Sequence, residues 1–116
     1  MNEPNAVEFE GRSGEMRDSP WLASEDILGL GDVKVTIEKV ERHNNIEFEG
    51  GRKKPVVFSI TFKGKNRRLV LNGTNRKTLV EKFGNDVRSW KGKEVVLYVQ
   101  PGIKVGKEMK NGIRIK

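Results

Sequence analysis

Cysteine is absent from the sequence. That excludes a disulfide framework and a thiolate metal site. Histidine occurs once, as His43, in a polar stretch that reads as an exposed turn. A general base needs an orienting neighbour, and the sequence places none beside it. No group of His, Asp and Glu has metal-ligand spacing. Gly29-Leu30-Gly31 lacks the preceding strand and the following Gly-Lys-Ser/Thr of a phosphate-cradling loop. Glu25 and Asp26 read as first-turn charge at a helix start. The expectation is a protein that is not an enzyme, with no metal, no cofactor and no small-molecule substrate. Long apolar runs are missing too: none approaches the roughly 18 residues of a membrane span. The first residues are acidic and polar, unlike a secretory leader. A cytoplasmic protein without membrane contact is expected.

Charge is plentiful, and it is unevenly placed. The 116 residues carry a net charge of +7, with 34% charged and 34% hydrophobic residues. Such proportions suit one small, well-solvated domain with a thin core. Residues 1–32 hold eight acidic residues against Arg12 and Arg17, a local charge of −6. Residues 33–116 hold 21 basic residues against eight acidic ones, +13. A basic body with an acidic arm points toward a polyanionic partner. The arm, residues 1–20, is polar and poor in large apolar residues, and reads as disordered. Opposite charge lets it fold back over the basic surface. Residues 21–116 read as the single domain.

Along that domain, Trp21-Leu22-Ala23 is the first apolar cluster. Ser24, Glu25, Asp26 and Ile27 read as a capped turn before Gly29. Val33, Val35 and Ile37 alternate in a first strand, with a bulge expected near Glu38 and Lys39. His43-Asn44-Asn45 reads as a turn. Residues 50–55 read as a basic loop carrying Arg52, Lys53 and Lys54. The second strand covers residues 56–63, with Val56, Phe58, Ile60 and Phe62 on its apolar face. Gly64-Lys65-Asn66 connects it to a third strand, residues 67–72. Glu94 to Gln100 reads as a fourth strand, interrupted by Pro101-Gly102. Lys104, Lys107 and Lys110 fall in a second basic loop, and residues 113–115 form a fifth strand. No internal repeat stands out.

Between the third and fourth strands, Asn72-Gly73 breaks the chain. Thr74 or Asn75 suits an N-cap, and Arg76, Leu79, Val80 and Phe83 then share one helical face. Gly84 provides a left-handed stop. Val87 and Trp90 follow, placed to pack the helix end onto the sheet. Three strands, one helix and two strands is the order of the OB-fold, a five-stranded, partly open Greek-key barrel with a helix between strands 3 and 4. An SH3-like or other small β-barrel is the rival reading.

Leu69-Val70-Leu71-Asn72-Gly73-Thr74-Asn75, followed by Trp90-Lys91-Gly92-Lys93-Glu94, resembles a group of small phage- and prophage-type proteins. These share an Asn-x-Thr-Asn corner and a Trp-x-Gly-Lys turn into a strand. The resemblance spans residues 21–116. It implies an OB-like fold and a phage or mobile-element setting, and it implies no mechanism. Gly73 stands where the relatives often carry lysine.

On an OB-fold, oligonucleotides lie over strands 2 and 3, between the loops joining strands 1–2 and 4–5. Both loops are basic in this sequence. The expected interface is Arg52, Lys53, Lys54, Lys63, Lys65, Arg67, Arg68, Lys104, Lys107 and Lys110, binding single-stranded nucleic acid, DNA foremost, by counterion release. Phe58 and Phe62 are expected in the core, which leaves Tyr98 and Phe48 as stacking platforms. The alternative is a protein-interaction or assembly module on the same scaffold.

Overall fold

The computed structural model describes residues 6–48 and 51–116. It is mainly β. The strands are β1 (Val33–Glu47), β2 (Lys53–Phe62), β3 (Leu69–Val70), β4 (Glu94–Val105) and β5 (Glu108–Ile115). Two helices accompany them, α1 (Ser24–Ile27) and α2 (Gly73–Phe83). The strands form one antiparallel sheet in the order β3-β2-β1-β4-β5. It is open between β3 and β5. Among the described residues no helix is long and apolar enough to cross a membrane.

β1 belongs to both halves of the sheet. Its first residues pair with β4, Val33 opposite Leu97 and Thr36 opposite Glu94. From Ile37 onward it pairs with β2, out to Glu47 opposite Lys53. The register shifts between Ile37 and Lys39, where the sequence pattern loses its period of two. A bulge there bends the strand and lets one sheet wrap a core. Ile37, Ile60, Phe62, Leu69, Leu79, Trp90, Val95 and Leu97 fill that core.

Several strands are longer than the sequence suggests. His43-Asn44-Asn45 is not a turn. It lies inside β1, with His43 opposite Val57 and Asn44 opposite Val56. Cross-strand pairing overrides the local turn preference, and Asn45 absorbs the conflict with φ 54°. Lys53, Lys54 and Pro55 are strand, not loop. β4 continues through Pro101-Gly102, with a register shift between Gln100 and Ile103. Consequently Lys104 and Lys110 sit on paired strands rather than in a loop. β3 is shorter than expected, two residues only.

α2 begins one corner earlier than read. Asn72 is the N-cap, its side chain accepting from the Asn75 N–H at 2.8 Å. Asn75 instead turns inward and is buried, while Arg76 is exposed. The helix stops at Gly84, whose φ of 93° suits glycine. The following 3₁₀ turn buries Trp90, whose indole N–H donates to the Gly84 carbonyl at 3.0 Å. Gly92 then donates to the Ile37 carbonyl, and Ile37 to that of Lys93. The Trp-Lys-Gly-Lys stretch therefore fastens the helix end to β1 at its bulge.

The N-terminal arm is not free along the length expected. Residues 13–16 form a 3₁₀ turn with Gly14 buried. Arg67 holds this segment down. Its guanidinium donates to the carbonyls of Ser19, Gly14 and Arg17 and to Asp26 Oδ1, at 2.6–3.1 Å. Arg17 completes the clamp on Asp26 Oδ2 at 3.0 Å. A low-complexity composition conceals this docking, because the interaction is carried by main-chain carbonyls. Residues 1–5 lie outside the described residues. Next along the chain, Trp21 forms an isolated parallel bridge with Arg68. Asp26 reaches back to the Ala23 N–H at 2.7 Å and starts α1.

Candidate functional site

Alternation along β2 sets up the site. Ile60 and Phe62 face the core, but at the other end of the strand Val57 and Ser59 are the buried pair. The buried side changes along the strand because a second cover lies on the opposite face. Trp21 packs edge-on against His43, ring centroids 5.3 Å apart, and tilts against Phe48 at 5.5 Å. His43 Nε2 lies 2.8 Å from the hydroxyl of the fully buried Ser59. His43 is thus a half-buried strand residue with a partner, not an exposed turn residue. Its role is to satisfy Ser59 beneath Trp21.

The same change of side exposes Phe58. It is 47% exposed and Val56 is 38% exposed, which corrects the expectation that both belong to the apolar core face. The β1–β2 hairpin outruns the core, so the core-side positions of its outer half meet solvent. Arg42 stands directly opposite Phe58, Asn44 opposite Val56, and Ile46 opposite Lys54. Phe62, on the same face nearer the core, is buried as expected.

A groove of about 670 Å³ runs beside this hairpin end. Trp21, Phe48 and Phe58 border it, with Arg52, Lys53 and Lys54 at its outer end. Among the described residues none of Arg42, Arg52, Lys53 and Lys54 forms an ion pair. Three aromatic side chains therefore border a groove that also holds Arg52, Lys53 and Lys54, and Arg42 stands opposite Phe58. Glu47, across the ladder from Lys53, forms no ion pair with it among the described residues. Planar faces beside unpaired guanidinium and ammonium groups suit a flexible, flat-ringed polyanion. The groove has no paired carboxylates, and the described residues hold no metal-ligating group of three or more His, Cys, Asp or Glu.

The other sequence-selected residues lie elsewhere. Lys63 and Lys65 flank the β2–β3 turn, at the far end of β2 from Lys53. Ten residues of strand separate the two places by about 30 Å. Arg67 is engaged in holding the arm, as described. Arg68 pairs with Glu41 at 2.9 Å. That hydrogen bond, with the Arg68 and Lys39 charges behind it, holds the Glu41 carboxyl below its ordinary range against partial desolvation. Lys104, Lys107 and Lys110 belong to the β4–β5 hairpin. β4 runs antiparallel to β1, so the two hairpin tips leave that pairing in opposite senses. Tyr98 sits on the outer face of β4, opposite Arg114, with Lys116 Nζ 5.3 Å from its ring centroid. The expected single basic surface is accordingly three separate places, and among the described residues the β1–β2 end combines aromatic faces with cations that form no ion pair.

Sequence reasoning missed Trp21, Arg42 and Phe58 as members of the site. The usable signal was Arg42, a charged residue in register with Val40 on the core side of β1, which marks where that face leaves the core. Comparisons with family models, with curated proteins and with solved structures found no match for this chain.

Proposed function

We propose that this protein binds single-stranded nucleic acid, without strong sequence preference, in the groove at the end of the β1–β2 hairpin. The observation that carries the reading is the exposed Phe58 ring with unpaired Arg42 opposite and Lys54 on the same face. Phe58 and Trp21 lie on opposite faces of the hairpin, and a strand passing over the free edge of β2 stacks one base on each. Arg52, Lys53 and Lys54 neutralise phosphates and release counterions. The groove offers little directed hydrogen-bonding, so stacking and charge dominate. An accessory role in handling transiently exposed single strands, in a phage or mobile-element setting, fits this chemistry.

The OB-like reading of the fold belongs with this proposal. Its support is a long, bent first strand shared by both halves of the sheet, and a helix between β3 and β4. The decisive experiment is fluorescence anisotropy of a labelled single-stranded oligonucleotide at low and moderate salt, beside a duplex of equal length. Saturable, salt-sensitive binding that prefers the single strand supports the proposal. Absence of binding at low salt overturns it.

A further inference from the structure

We infer that the free edge of β2 receives residues 7–10 of a second copy of this chain, in a reciprocal exchange of N-terminal strands. The sequence holds a short repeat. Residues 7–12 read Val-Glu-Phe-Glu-Gly-Arg, and residues 46–52 read Ile-Glu-Phe-Glu-Gly-Gly-Arg. The later copy leads out of β1. Its Ile46 and Glu47 pair with Lys54 and Lys53 of β2.

The other side of that same stretch of β2 is open. β3 covers β2 only from Phe58 onward, where the Leu71 N–H donates to the Phe58 carbonyl at 2.9 Å. Main-chain groups of alternate strand residues point the same way. The N–H and C=O of Val56 and Lys54 therefore face the open side, and among the described residues they meet no strand there. Pro55 withholds its missing N–H on the β1 side, so the open side keeps its donors. The edge is a ready template for one more strand.

The earlier copy of the repeat is available to fill it. Val7 is 89% exposed and Phe9 53% exposed. Val7 and Phe9 alternate with Glu8 and Glu10, which is a strand pattern. Laid on the edge, Phe9 meets the exposed Val56 and Phe58. Glu8 and Glu10 then come within reach of Arg52 and Lys53, neither of which forms an ion pair among the described residues.

The chain's own arm does not span the distance. Arg12 is fixed by its guanidinium on the Leu28 carbonyl at 2.7 Å, and Gly14 by Arg67. Both border the cleft at Phe62 and Gly64, about 16 Å along β2 from the midpoint between Val56 and Phe58. Phe9 lies three residues from Arg12 and reaches about 10 Å at most. A second copy supplies the strand instead, and exchange in both directions closes both edges in a two-fold dimer.

The test is sedimentation velocity of the full chain over a concentration series, with no nucleic acid present, so its outcome is independent of the binding proposal. Wild-type protein is expected to pass from monomer to dimer. Phe9→Asp alters only an exposed side chain, and Val56→Pro removes an N–H on the open side. Each is expected to weaken the dimer by more than about tenfold, with circular dichroism unchanged for Phe9→Asp. A wild type that stays monomeric at high micromolar concentration overturns the inference. So does a dimer that survives either substitution.

Discussion

Asn75 stands beside Ile115 in the place a neighbouring strand would occupy. Its side-chain oxygen accepts the Ile115 N–H at 3.2 Å, and its amide donates to the Ile113 carbonyl at 3.0 Å. Both groups belong to the outer edge of β5, the edge that β3 leaves open. One carboxamide on the first turn of α2 thus completes the hydrogen bonding of a strand buried on that side.

Asn75→Ala is expected to destabilise the fold by about 2–4 kcal/mol, since it orphans two buried main-chain groups. Denaturant unfolding measures this. Asn75→Asp should be no better, because a carboxylate cannot donate to the Ile113 carbonyl.

Arg67→Met should release the arm. Four hydrogen bonds are lost and Asp26 keeps only Arg17 as a cationic partner. Limited trypsin digestion is expected to cut faster after Arg12 and Arg17. Affinity for single-stranded DNA should stay within about twofold, because a phosphate-contacting arginine would instead lower both affinity and salt dependence.

Lys53→Glu with Lys54→Glu should weaken single-strand binding by at least about tenfold and flatten its salt dependence. Lys107→Glu, on the opposite hairpin, should change it little. Equal losses from both would return the interface to a surface spanning the whole sheet. Anisotropy titrations at several salt concentrations separate the two.

Trp21 reports on the groove and Trp90 on the core. Single-stranded DNA is expected to quench Trp21 emission while leaving the buried Trp90 unchanged. Trp21→Phe should therefore abolish the quenching, and Phe58→Ala should cost about 1–3 kcal/mol of binding if one base stacks there.

Much of the sheet was legible in the sequence. Val33, Val35 and Ile37 gave the first strand, the lost alternation at Glu38 marked the bulge, and Trp90-Lys91-Gly92-Lys93 marked the corner. The long reach of β1 was not legible, since His43-Asn44-Asn45 has turn composition and becomes strand only through pairing with β2. The alternation puts Phe58 in the core, because a period of two names a face without saying where the core ends. Apolar neighbours place Trp21 in the core, whereas it is half-buried outside the core cluster, and its contact with His43 and Phe48 joins residues too distant in sequence for any local pattern. The docking of the arm escaped for another reason: Arg67 recognises carbonyl oxygens, which every residue type supplies.

Glu41 makes stability depend on pH. Its carboxyl is held low by Arg68 in the folded state. A depressed folded value means stabilisation that is full above the unfolded pKa and disappears as pH falls through the folded one. Glu41→Gln should be less stable than wild type at neutral pH and converge with it in acid, as followed by thermal unfolding at several pH values.

The outer half of the β1–β2 hairpin has a further consequence. Beyond Val40 and Ile60 its side chains leave the core, and its free edge lacks a third strand. Amide protons should therefore exchange fastest near Glu47 and Lys53 and slowest near Ile37 and Ile60. The segment that would hold a ligand is the one with least intrinsic protection. Occupancy by an oligonucleotide or by a partner's strand would show there first, as a slowing of exchange at the tip with the core rates unmoved.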